Sequence, residues 1–279
     1  MFSGRFATVN GIGNVISWQV TEAVDEDQIR NSATHGGTSR IFCGRDFTGT
    51  IVAHGGIPPV LPGETFSFIG YTSPTTGVYG TNGLRYTGTA MCTQIVVTRD
   101  FNTNKAVQYT MTFGGMGALA SADGAAVLDA TDVVKQCSRG CVFEYGSGPT
   151  ELLVNRVSAT LTMTSAVTVR SDASTAGWKT REAGPLDWTL AVVTNGHDKF
   201  FTPGAYLEDL KIAVNETPDS FWFNDAIVGQ CTDITLTTDG SSIDTQTINI
   251  HMSACDTDGN LGFIRRPGEE VANFWPIAA

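Results

Sequence analysis

What most restricts how this chain can fold is that it contains itself twice. The stretch from about Val9 to Phe113 recurs, diverged, from about Val154 to Met252, so both stretches are expected to adopt the same unit. Val9-Asn10 matches Val154-Asn155 at a spacing of 145 (154 − 9). Asp46-Phe47-Thr48 matches Asp187-Trp188-Thr189, and Pro62-Gly63 matches Pro203-Gly204, both at 141 (187 − 46 and 203 − 62). The run from Cys92 to Asp100 matches Cys231 to Asp239 at 139 (231 − 92), with five of nine positions identical. Blocks that keep their order while the spacing drifts by a few residues point to tandem strands separated by loops of unequal length.

The content of each unit is β. Val157 to Ala166 alternates Thr with Val and Leu, as a half-buried strand does. A polar arm follows from Arg170 to Pro185 and reads as a protruding hairpin or loop. Strands are expected over Asp187 to Val193, Tyr206 to Val214, Phe221 to Thr238 and Gln246 to Met252, with a turn at Pro203-Gly204. The first unit copies this plan: strand Val15 to Val20, polar arm Glu22 to Arg45, strand Asp46 to Ala53, turn Pro62-Gly63, and strands Thr65 to Gly70, Tyr86 to Thr98 and Val107 to Phe113. The expected architecture is all-β, two tandem antiparallel sandwich or rolled-sheet domains at 1–115 and 151–253. A connector at 116–150 and an extension at 254–279 complete the chain. Ala118 to Gln136 is Ala-rich and reads as a short helix capped by Asp123.

Composition fits a sheet-rich protein of two domains: 279 residues, 31 of them Gly, and only 16% charged. The net charge of −11 argues against a grip on nucleic acid, which depends on Lys and Arg neutralising phosphates. No apolar run approaches the roughly 18 residues of a membrane span, and Met1 to Phe6 lacks the apolar core of a signal peptide, so assembly in a cytoplasm is expected.

Catalytic and metal-binding patterns are weak. His35, His54, His197 and His251 show neither metalloprotease spacing nor a nearby cysteine cluster, and Gly146-Ser147-Gly148 is linker rather than a nucleophile turn. His54 and His197 fall near equivalent places beside the turn of each unit. Cys92 and Cys231 are equivalent and are expected to be small buried apolar groups. Cys137 and Cys141 read as loop thiols, since no second Cys or His pair accompanies them. Asp256 to Asn260 resembles a calcium-loop fragment but lacks the distal Glu, and reads as a turn. No enzyme activity, cofactor or metal is expected.

The unit as a whole resembles the tail tube proteins of long-tailed bacteriophages. The likeness lies in the Val154-Asn155 strand with Thr160-Leu161-Thr162, the charged arm running into Arg181-Glu182-Ala183-Gly184-Pro185-Leu186-Asp187-Trp188, the Pro203-Gly204 turn and the final strand pair. It covers Val154 to Ser253 best and reaches the first unit through the internal match. The resemblance implies a virion structural protein, assembled in the host cytoplasm, that forms stacked rings around a channel for DNA. With two units per chain it implies trimers acting as pseudo-hexamers, other tail proteins as partners, and DNA passing through without specific binding. Arg170, Trp178, Lys179, Arg181 and Glu182 on the second arm, Arg30 and Arg40 on the first, and Phe274 and Trp275 in the tail are the residues expected to contact neighbouring subunits. A binding module of two β-sandwiches, such as a capsid decoration, adhesin or carbohydrate-binding protein using Trp178, Trp222 or Trp275, is the alternative.

Overall fold

A computed structural model describes residues 2–4, 12–35, 37–54, 60–72, 84–102, 105–124, 143–145, 151–152, 155–171, 175–196, 201–207, 211–212, 229–238, 240 and 243–252. The protein is all-β. Its fifteen described strands are β1 (Phe2–Gly4), β2 (Val15–Ile29), β3 (Ser39–His54), β4 (Thr65–Tyr71), β5 (Leu84–Asp100), β6 (Gln108–Gly115), β7 (Ala120–Asp123), β8 (Phe143–Tyr145), β9 (Glu151–Leu152), β10 (Arg156–Ser171), β11 (Lys179–Asn195), β12 (Tyr206–Leu207), β13 (Lys211–Ile212), β14 (Gly229–Thr237) and β15 (Thr245–Met252). The one helical element among the described residues is a 3-10 turn at Ser32–Thr34, capped by the Asn31 side chain. Ala120–Asp123, expected to begin a helix, instead pairs with Leu84–Thr87 of β5. A partner strand overrides the local preference of an Ala-rich segment. The remainder of the expected helix, from 125 to 136, lies outside the described residues.

Twelve strands form one antiparallel sheet, with a main path β1-β2-β3-β6-β5-β10-β11-β15-β14-β12 and with β4 and β7 attached to β5. The strand order of the first half recurs in the second. β2-β3-β6-β5 in the first half corresponds to β10-β11-β15-β14 in the second, and β4 on β5 corresponds to β12 on β14. Local irregularities recur too. The ladders shift register after Val15 and after Arg156, and again after Cys92 and after Cys231. Leu61-Pro62-Gly63-Glu64 and Thr202-Pro203-Gly204-Ala205 are matching turns, closed by Glu64 N–H to Leu61 carbonyl and Ala205 N–H to Thr202 carbonyl, each 3.0 Å. Their glycines sit at φ 87° and 89°, which explains why Gly follows Pro at both places.

Two details differ from the sequence alignment. Asn14 and Asn155 share a left-handed backbone, at φ 57° and 35°, and their carbonyls accept from the His54 and Asn195 N–H groups. The match therefore runs from Asn14 at a spacing of 141 (155 − 14), not from Asn10, and Asn195 rather than His197 is the counterpart of His54. The halves are also not separate sandwiches. β5 and β10 pair from Asp100↔Ser158 to Gln94↔Thr164, fusing them into one sheet over one continuous buried cluster.

Alternation places the core on one face. Trp18 and Val20 of β2, Phe47, Ile51 and Ala53 of β3, and Tyr109, Met111 and Phe113 of β6 are buried, as are Ala159, Leu161, Trp188, Leu190, Val192, Ile248 and Ile250 of β10, β11 and β15. β4 and the N-terminal half of β5 roll over this face. Phe68 stacks tilted on Phe113 at 5.0 Å and meets Trp18 edge-on at 5.6 Å, and Phe66 meets Phe113 edge-on at 5.5 Å. Gly49 and Gly115 make room: a Cβ at Gly49 would lie 2.3 Å from the Gln19 carbonyl oxygen, and one at Gly115 would lie 2.5 Å from the Phe47 ring.

Candidate assembly interface

Both polar arms are the outer ends of long hairpins. β2 and β3 stay paired out to Ile29↔Ser39, and β10 and β11 out to Ser171↔Lys179, well beyond the core-facing strands. Pro185 lies in β11 beside a register shift between Ser165 and Val167 of β10, the kind of place where a strand tolerates proline.

The second arm does not project freely; its outer end is seated on the base of the first. Trp178 is buried, edge-on to Phe47 at 6.5 Å, with the Arg45 guanidinium 5.9 Å from its ring. The Arg45 N–H donates to the Gly177 carbonyl at 2.7 Å, and Lys179 Nζ lies 2.8 Å from Asp25. Below them the Arg181 guanidinium grips Asp46 with both prongs, at 2.9 and 2.6 Å, and also donates to the Gly115 carbonyl. The Arg181 and Asp46 side chains are 6% and 17% exposed, so this fork is largely shielded from water. Gly114 leaves the space: a Cβ there would lie 2.2 Å from Arg181 Nε.

Trp178 and Arg181 are therefore committed inside the chain, and a deletion of 172–181 would strip the core as well as the arm. Lys179 is partly covered by its pairing with Asp25. Arg170 and Glu182 form an exposed pair at 2.5 Å, Arg40 pairs with Glu26 at 2.8 Å, and Arg30 donates to Thr38 at 2.8 Å; these remain at the surface. Phe274, Trp275, Trp222 and Asp256 to Asn260 lie outside the described residues, as do Cys137 and Cys141. Asp46, Asp25, Gly114 and Met116, whose Sδ accepts from the Arg181 N–H at 3.2 Å, complete the site and were not singled out by sequence. The signal was present for Asp46, which opens a repeated block, and for Arg181, whose counterpart at a spacing of 141 is Arg40 (181 − 40).

Cys92 and Cys231 are buried, each at the bulge of its ladder, and burial raises both thiols above their ordinary value. Each thiol lies near a carbonyl two residues on, Gln94 and Asp233. Among the described residues no group of three metal-ligating side chains comes together, and no helix is long and apolar enough to cross a membrane.

The halves differ at their outer edges. In the first half, β5 from Gln94 to Asp100 has β6 on one side and β10 on the other. The equivalent stretch of β14, beginning at Asp233, has β15 on one side and no strand on the other among the described residues. Val97 is fully buried, whereas Leu236, its counterpart at a spacing of 139 (236 − 97), is 53% exposed. β2, the counterpart of β10 in strand order, is covered on its outer side, among the described residues, by the three residues of β1.

No protein-family model and no curated protein matches the chain. Among solved structures, K. pneumonia MrkH in its apo state is 12% identical over 85% of this chain and 82% of that one, with a TM-score of 0.22. The K. pneumonia MrkH–c-di-GMP complex is 9% identical over 86% and 91%, with a TM-score of 0.23. Likeness at this level carries no argument about fold or function. The fold and interface define a class only: an all-β protein whose two halves join edge to edge.

Proposed function

We propose that the chain is a tandem duplication of one β unit and acts as a structural building block, its copies joining into rings that stack into the hollow tail tube of a bacteriophage virion. The observation that carries this reading is the β5–β10 junction, an edge-to-edge union of the two halves, with the equivalent edge of β14 unpaired by any strand among the described residues. A unit that pairs with its own duplicate across such an edge is suited to pair with further copies, and closing a ring hides strand edges that would otherwise invite aggregation. Three chains of two units supply six units per ring. The net charge of −11 favours a conduit that repels the phosphate backbone over a surface that binds it. The committed Trp178 weakens the alternative of a binding module with an aromatic platform on that arm. Negative-stain electron microscopy of the concentrated protein tests the proposal: rings or hollow tubes are expected, and a featureless monomer under all conditions would reject it.

A further inference from the structure

The internal junction also specifies how one copy should meet the next. Within the chain, β10 lies against β5 with Ala159, Thr160 and Leu161 opposite Arg99, Thr98 and Val97. Shifting β10 back by 141 gives β2, and shifting β5 forward by 139 gives β14. The same ladder between two copies would place Trp18, Gln19 and Val20 opposite Thr238, Thr237 and Leu236. Those three residues of β2 are the ones that β1 now covers, with Gly4, Ser3 and Phe2 opposite Trp18, Gln19 and Val20.

A second observation, one of charge, points to the same partner. Across the internal junction, Arg181 of the second unit grips Asp46 of the first. Their repeat counterparts are Arg40 and Asp187 (181 − 141 and 46 + 141), both at the surface. The symmetry that sets β2 of one copy on β14 of another also brings Arg40 of the first to Asp187 of the second. One position departs from the template: His251 stands opposite Thr189 where Gly114 stands opposite Thr48, so the second pair meets beside an imidazole rather than over a glycine.

We propose that β2 is the acceptor edge for β14 of a second copy, with Val20 opposite Leu236 and Arg40 paired to Asp187, and that β1 is a placeholder displaced when that copy arrives. This continues the junction already made inside the chain, and it rests on the ring reading given above. The exposure of Leu236 follows from it, since β10 lies beside Val97 in the first half and no strand among the described residues lies beside Leu236 in its place. β1 would meanwhile protect an acceptor edge from promiscuous pairing.

Disulfide trapping tests the register in the full chain. In a Cys43→Ser background, Gln19→Cys combined with Thr237→Cys should give a non-reducing ladder of covalent oligomers. Gln19→Cys combined with Thr235→Cys, and each single variant, should trap at least tenfold less. Arg40→Asp and Asp187→Arg should each slow assembly at least tenfold, and combining the two in one chain should restore it. Ser3→Pro, which weakens β1 pairing, should shorten the lag before assembly. Rings by microscopy with an off-register or absent ladder would overturn the β2–β14 register while leaving the ring reading intact. Absence of both rings and ladder, even with Ser3→Pro, would overturn both. Slower assembly by Ser3→Pro, with unchanged circular dichroism, would overturn the placeholder role alone.

Discussion

Replacing Arg181 with Met removes the fork that locks the second arm onto the first half while keeping most of the apolar volume of the side chain. Arg181 makes two short charge-assisted bonds to Asp46 and one to the Gly115 carbonyl, and its side chain is 6% exposed. Breaking a buried ion pair from one side costs about 3–5 kcal/mol, chiefly because the other charge is left unpaired. Asp46 retains 17% exposure and can recover some hydration, which places the expected loss at the low end, about 3 kcal/mol. At ~2–4 °C per kcal/mol for a domain of this size, the melting temperature should fall by roughly 6–12 °C. The assay is equilibrium unfolding in urea, followed by the fluorescence of the buried Trp18, Trp178 and Trp188. Asp46→Leu alone should cost a similar amount, and Arg181→Met with Asp46→Leu should cost at least ~2 kcal/mol less than the sum, since neither charge is then stranded. A loss below about 1 kcal/mol for Arg181→Met, or simple additivity in the double variant, would show that the fork does not hold the halves together.

Other perturbations test separate features of the fold. Gly49→Ala should destabilise by roughly 3 kcal/mol or more, because its Cβ meets a backbone carbonyl at 2.3 Å in a central strand that cannot shift without disturbing two ladders; thermal unfolding of the purified variant measures this. Val97→Ala should cost about 2 kcal/mol, whereas Leu236→Ala should change the monomer by no more than ~0.5 kcal/mol yet reduce assembly, a contrast read by urea titration beside sedimentation. At pH 8 a thiol reagent should modify exposed Cys43 in the native protein and reach Cys92 and Cys231 only on unfolding. Because burial raises both thiols above an ordinary value near 9, the folded state keeps protons that the unfolded state releases. That stability is full below about pH 8.5 and is lost as pH rises toward the elevated native values, by up to ~1.4 kcal/mol per unit for each thiol.

Strands whose one face is buried were legible, since alternation in stretches such as Val157 to Ala166 is a local signal of that burial. The Pro-Gly turns were legible because only glycine tolerates their φ. The outer lengths of β2, β3, β10 and β11 were not: both faces of those ribbons are solvated, so no alternation marks them. Trp178 read as exposed because its neighbours in sequence are charged, while the groups that bury it, Phe47 and Arg45, lie far away along the chain. The union of the halves was hidden for the same reason, as pairing between 94–100 and 158–164 leaves no trace in either segment. The Arg181–Asp46 fork stood halfway between: both residues lay in recognised segments, yet only the fold brings them together. The spacing of 141 places Arg40 and Asp187 at the positions equivalent to its two members.

Three chains, each contributing its two halves, are proposed to close one ring. The most direct measurement is the mass and rotational symmetry of the smallest closed assembly, by mass determination on the eluting species and end-on electron micrographs. A species of three times the 29.6 kDa chain mass is expected, with threefold symmetry carrying six similar lobes. A single 29.6 kDa species at every concentration, or a ring whose lobes do not number two per chain, would contradict it.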